Sequence, residues 1–237
     1  MEKESCRIVR EVITSPHAAG KVAAGRQTPR PAPVTDPRIA ALEAALASRP
    51  PFRAPPEAAT ARAAVALLLR VGGAGLELLL IRRAEREGDP WSGHMALPGG
   101  RSQPGDAGLQ ATAARETLEE VAIDVTAGGR LLGELDELAP RSARIPSIVV
   151  SPFVYHVAAD AEPRPDPREV QAAVWVPVDE LLHPDAVTEY LHEPAVGNTL
   201  RFPAFDARGH VVWGMTHRIL SGFLELYVAA TAPETES

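Results

Sequence analysis

The chain has 237 residues, with 31 Asp and Glu against 24 Lys and Arg, a net charge of −7 and 45% apolar residues. That acidic balance excludes nonspecific nucleic-acid binding, which needs a basic field, while the apolar share is enough for one full domain with extensions or two small ones. The lone cysteine, Cys6, excludes an internal disulfide and fits a reducing cytoplasm, and no apolar run approaches the roughly 18 residues of a membrane span.

In chain order, residues 1–36 mix Ala, Pro, Gly and Arg without periodicity and are expected to be disordered. Ile8, Val9, Val12 and Ile13 form a small amphipathic patch, but Glu2, Glu4 and Glu11 argue against a targeting segment. Ile39, Leu42 and Leu46 have helical spacing, with Asp36 as cap and Pro37 at the first helical position, and Pro50-Pro51 ends the helix. Residues 37–61 thus read as a helix and a Pro-rich connector. The main domain, 62–230, opens with a hairpin of apolar strands, Ala64 to Val71 and Leu76 to Ile81, around Gly72-Gly73-Ala74-Gly75.

Past Arg82 to Ser92, a short strand from His94 to Leu97 leads into a glycine-rich loop and a helix starting near Asp106, expected as its cap. On a helical wheel Ala111, Ala114, Leu118 and Val121 share the stripe expected to face the core, and Glu116, Glu119 and Glu120 share an arc of about 100° opposite it. Further strands are expected over Arg130 to Glu137, Ile148 to Val157 (central, with a bulge near Pro152) and Glu169 to Pro177. A helix follows over Asp179 to Leu182, then a hairpin of Leu200 to Phe205 with His210 to Val212. An amphipathic helix from Trp213 to Tyr227 packs on the sheet, and 231–237 is a loose tail. Strands and helices without regular alternation predict an α+β sandwich with a mixed sheet.

The glutamates carry the chemistry. A solvated acidic face would offset Glu with Lys or Arg four residues on, yet Glu116 is followed by Glu120, and Glu120 by Asp124. Like charges at this spacing cost about 0.2–0.5 kcal/mol per pair. A hard divalent cation would turn that repulsion into coordination, and the adjacent Gly99 and Gly100 leave the backbone open to close approach.

The stretch resembles the signature of the Nudix hydrolase superfamily: Gly100, Arg115, Glu116, Glu119 and Glu120 match it directly and Ile123 fills its last aliphatic position. Asp106 stands in place of the first glutamate, with eight residues before Arg115 instead of seven; Thr117 replaces an aliphatic residue and Ala122 the late glycine. The extra residue, together with Leu79 to Ala84 and Gly93 to Gly100, resembles the coenzyme A pyrophosphatase branch. Leu97 departs from that branch's Phe, and the middle is about three residues longer.

The resemblance implies an α/β/α fold and hydrolysis of a pyrophosphate bond with Mg²⁺ or Mn²⁺. Coenzyme A or an acyl derivative would give 4′-phosphopantetheine and 3′,5′-ADP. ADP-ribose or a nucleoside triphosphate is the second substrate reading, and a nucleotide-sensing module without catalysis is the third. Glu116 and Glu120 are the leading metal ligands, with Gly100 offering a carbonyl. Glu119 shares the metals or acts as base, and Arg115 pairs with Glu119 to fix it. Glu169 is a candidate further acid or base. Arg82, Arg83, Arg144 and His94 are candidate substrate contacts, Arg matching phosphate geometry. The expected partner is a small nucleotide, with no nucleic acid or membrane, and a homodimer is left open.

Overall fold

The computed structural model describes residues 36–55, 61–87, 91–139, 148–195 and 198–232. The expectations for residues 1–35, for Arg144 and for the end of the tail fall outside these.

Helix α1 (Pro37–Ser48) starts as the sequence predicts: the Asp36 side chain accepts from the Arg38 amide at 2.9 Å, with Pro37 in the first turn. Its buried residues, Ile39, Leu42 and Leu46, join the main core. Strands β1 (Ala61–Gly72) and β2 (Gly75–Arg83) form the expected hairpin. They are followed by β3 (Met95–Ala96), β4 (Gly99–Arg101), helix α2 (Leu109–Val121), β5 (Arg130–Glu134), β6 (Ile148–His156) and β7 (Val170–Pro177). These strands make one seven-stranded mixed sheet, in which β1 runs parallel to β6 and antiparallel to β2 and β4. The bulge expected near Pro152 lies instead on β5, between Leu131 and Gly133. β6 keeps register with β1 straight through Pro152. Pro152 lacks an amide donor on the side facing Leu135, just beyond the last β5 pairing, so no ladder bond is lost there.

Both faces of the sheet are covered, which is why its strands read as continuous apolar runs. Ala64, Ala66 and Leu68 of β1 face α2, and Leu67 and Leu69 face the opposite cluster. Short helix α3 (Val178–Leu182) is followed by a second sheet: β8 (Val187–Ala195), β9 (Asn198–Ala207) and β10 (His210–Trp213). β8 was not expected, because its Thr188, Glu189, Tyr190, Leu191 and His192 make no apolar run. Helix α4 (Gly214–Thr231) extends beyond the predicted Tyr227 and buries Ile219, Leu220, Phe223, Leu224 and Tyr227 in the cluster that also holds the α1 residues.

Two expectations for α2 are corrected. Its first residue is Leu109 with Gly108 at the cap position, and no side chain caps it. The buried face comprises Thr112, Ala113, Ala114, Glu116, Thr117, Glu120 and Val121, while Leu118 is 49% exposed. Ala114 and Val121 of the expected stripe are buried, but Leu118 is not, because this helix turns two carboxylates and two threonines inward.

α2 ends on Ala122, held at φ 55°, with its amide donating to the Leu118 carbonyl at 3.0 Å. A left-handed conformation costs an L-residue about 1–2 kcal/mol and glycine nothing. Ala122→Gly is therefore expected to stabilise the protein, by about 1 kcal/mol after the entropy glycine adds to the unfolded chain. Urea unfolding should show a raised midpoint with an unchanged slope; a lowered midpoint contradicts this account of the turn.

Candidate metal and phosphate site

The site begins with two glycines paired to β1, Gly99 opposite Val65 and Gly100 opposite Ala64. A Cβ on Gly99 (φ 155°) would lie 2.4 Å from the Ala64 carbonyl and 2.6 Å from the Val65 Cα. At Gly100 it would lie 2.5 Å from the carboxylate carbon of Glu116. Glycine is thus required at 99 by the backbone, and at 100 it leaves the space that the Glu116 carboxylate occupies. The small Ala64 and Ala66 on β1 let α2, through Ala113 and Ala114, sit close enough for this contact.

The sequence predicts that Glu116, Glu119 and Glu120 meet at one place. The structure brings together Glu116, Glu120 and Glu169, one carboxylate oxygen from each lying within 4.8 Å of the others. Glu116 and Glu120 are buried and Glu169 is exposed. Glu119, with its side chain 53% exposed, lies outside that group and accepts from Arg115 Nη1 at 3.0 Å. Asp124 also turns away, accepting from the Thr126 and Ala127 amides.

Each carboxylate has a local reason for its place. Glu120 accepts from the Gly99 amide at 2.9 Å. Burial pushes its carboxyl up to about 8, with the Glu116 charge adding to the rise and Arg83 opposing it. Glu116 is likewise raised, chiefly by burial, although Arg115 Nη1 donates to it at 2.8 Å. Glu169 arrives on the segment before β7, which is tied to the end of α2: the Arg164 amide donates to the Val121 carbonyl and the Asp166 amide to the Glu120 carbonyl. Asp166 in turn receives the Arg168 amide and guanidinium, which hold its carboxyl down at about 2.

Asp106 does not cap the helix. It anchors Arg115, accepting from Nε at 2.9 Å and Nη2 at 3.1 Å, and also receives the Thr112 hydroxyl and the Gln103 amide. These donors, Arg115 foremost, hold its carboxyl far below the usual range. Arg115 therefore spans Asp106, Glu116 and Glu119, a wider task than the predicted pairing with Glu119 alone. Arg82 and Arg83 end β2 at a register shift beside β3 and β7, on the same rim. His94 packs edge-on against Trp213 with centroids 5.1 Å apart. Arg86, not singled out in the sequence, reaches Glu169 at 3.8 Å and donates to the Arg168 carbonyl.

The donor set is all oxygen, three carboxylates crowded around a glycine-lined corner, and it fits a hard divalent cation. A family model for the NUDIX domain matches residues 59–193, more than half of the chain and the whole of this site. The chain belongs to the Nudix family. It is 37% identical over 131 residues to a fission yeast (Schizosaccharomyces pombe) protein, C14C4.10c, covering 54% of this chain but only 40% of that protein's length. It is 29% identical over 147 residues to NudL of Yersinia pestis, described as an uncharacterized Nudix hydrolase, covering 60% of this chain and 68% of that one. Among solved structures, a MutT/nudix family protein from Enterococcus faecalis matches at TM-score 0.47 and 16% identity, over 78% of this chain and 70% of its own.

The raised carboxyl of Glu120 predicts a pH dependence. Its ordinary value is 4.5 and its folded value about 8, so between these the folded Nudix chain holds a proton that the unfolded chain has released. Stability from this group is therefore present at low pH and falls as pH rises through that window. Thermal unfolding of the EDTA-treated protein should show a lower midpoint at about pH 8 than at about pH 5, and Glu120→Gln should flatten the difference. An equal fall in the variant contradicts this assignment.

Proposed function

We propose that the chain is a divalent-metal-dependent pyrophosphohydrolase acting on a nucleoside diphosphate derivative. The observation that carries the reading is the convergence of Glu116, Glu120 and Glu169 beside Gly99 and Gly100. Nudix hydrolases generally use divalent metals, and here Mg²⁺ or Mn²⁺ would be held by the buried Glu116 and Glu120 with Glu169 beside them; the Gly100 carbonyl, expected as a further ligand, is directed at β1 by its pairing with Ala64. Bound there, the cation would neutralise phosphate charge and lower the pKa of a water.

The chain's own residues do the rest. Glu116 and Glu120, buried and fixed by Arg115 and the Gly99 amide, hold the cluster in shape without reorganising. Glu169, its member open to solvent, takes the proton from the attacking water and passes it outward. Glu119, solvent-facing on the Arg115 guanidinium, is the second acceptor in reach of that rim. Arg82 and Arg83 hold the substrate phosphates, a role suited to the planar guanidinium.

Within this class, coenzyme A or its acyl derivatives are the favoured substrate, supported by the resemblance of Leu79 to Ala84 and Gly93 to Gly100 to that branch. The second reading keeps the chemistry and takes ADP-ribose or a nucleoside triphosphate. A reducing, cytoplasmic setting fits the single cysteine.

With Mg²⁺, a panel of coenzyme A, ADP-ribose and deoxynucleoside triphosphates should show turnover of coenzyme A above the others, with phosphopantetheine as product. Glu120→Gln should lower kcat by about 100-fold or more, and Glu169→Gln by a similar factor with a shifted pH–rate profile. Tight binding of one compound without turnover of any would overturn the hydrolase reading. Preference for ADP-ribose would overturn only the coenzyme A assignment.

A further inference from the structure

His94 is one of a set of neighbouring rings. Its imidazole stands edge-on to Trp213 and to Tyr190, with centroids 5.1 and 6.1 Å away. Tyr190 and Trp213 are stacked, 4.1 Å apart and 18° from parallel. His192 lies 6.3 Å from Trp213 at 25°, and Phe202 lies 5.4 Å from it.

The register explains the grouping. Tyr190 pairs with Phe202 across β8 and β9, and Ala204 pairs with Trp213 across β9 and β10, and directly paired residues share a face of an antiparallel sheet. The opposite face sends Phe205, Ala207 and Val212 into the core. The ring-bearing face is half-open: Tyr190, Phe202, Trp213 and His94 are half-buried, His192 is exposed and Ala204 beneath them is fully buried, while Val187 and Leu191 on the opposite face reach solvent. Leu200 and Val211, on the ring-bearing face by register, are 39% and 40% exposed.

His94 joins this face to the strand edge beside Glu169, since the Ala84 amide, next to Arg83, donates to the Glu169 carbonyl at 2.8 Å. His94 leads through Met95, Ala96, Leu97 and Pro98 directly into Gly99, and its carbonyl accepts from the Arg83 amide at 3.0 Å. Phe202 and Trp213 lie beyond the segment matched by the NUDIX family model.

We infer that the ring-bearing face of the β8–β9–β10 sheet is a stacking platform for the nucleobase of the substrate whose diphosphate lies at the Gly99–Gly100 corner. The inference rests on the hydrolase reading above. A nucleobase presents a flat π-face, and near-parallel Tyr190, Trp213 and His192 offer matching surfaces; such stacking tolerates any base. The imidazoles and the neighbouring Arg82 and Arg83 suit the anionic groups that accompany the base. The face thus selects nucleotides over simple pyrophosphates.

Calorimetric titration of the full chain in Mg²⁺, once with ADP and once with inorganic pyrophosphate, tests this. Tyr190→Leu should weaken ADP about tenfold and leave pyrophosphate within about twofold, stacking on one ring being worth this order. His192→Ala, at the exposed end of the stack, gives the same readout should Tyr190→Leu fail to fold. Equal effects on both ligands, or none on ADP, overturn the platform and leave the hydrolase reading standing. A wild-type dimer by sedimentation that Tyr190→Leu dissociates, with ADP affinity unchanged, assigns the face to a second copy of the chain and likewise overturns it. Failure of the wild type to bind either ligand overturns both readings.

Discussion

Glu120 accepts a hydrogen bond from the Gly99 amide, and the Glu116 carboxylate fills the space that a side chain at residue 100 would take. Two like charges are thereby pressed into a partly buried corner, with Glu169 completing the group from the rim. Left alone this arrangement is unfavourable, since burial and mutual repulsion both favour the protonated forms. A divalent cation bound there would favour the charged forms and offset both effects. The conflict is local and has a local remedy, which makes a functional site a better explanation than a solvated acidic surface.

Much of the surrounding structure serves to hold that corner. β1 supplies both the backbone that pairs with Gly99 and Gly100 and the small side chains that let α2 approach. Arg115, anchored by Asp106, bonds Glu116 within the cluster and Glu119 outside it. The Arg164 to Glu169 segment is hydrogen-bonded to the last turn of α2, so the third carboxylate is placed by backbone bonds and not by a flexible loop. The second sheet then extends from the same rim, meeting β3 through His94 and Trp213.

The sequence disclosed most of the strands because their burial on two faces leaves unbroken apolar runs, and it disclosed α1 because Asp36 and Pro37 are a start signal with a mechanism. It disclosed the acidic character of α2 but not its orientation. A helix that buries Glu116, Glu120, Thr112 and Thr117 violates the assumption on which a hydropathy stripe rests, so Leu118 was placed inside and lies outside. Asp106 looked like a cap because its type suits one; its true partner, Arg115, lies nine residues away and is set by the loop between them. The approach of Glu169 depends on tertiary hydrogen bonds, which no local pattern encodes. β8 escaped notice because Thr188 to His192 mixes polar, aromatic and apolar residues, with Leu191 exposed, and so shows neither an apolar run nor a clean alternation.

The account stands on a cation held by inward-turned carboxylates, one of which, Glu116, occupies the space that glycine at residue 100 leaves open. Mn²⁺ binding to the wild type and to Gly100→Ala, followed by electron paramagnetic resonance of the free ion alongside thermal unfolding, tests this most directly. The expected result is binding by the wild type, weakened by about 10- to 100-fold in the variant with the unfolding midpoint nearly unchanged. Equal Mn²⁺ affinity in a folded Gly100→Ala protein, or no binding by the wild type, would contradict it.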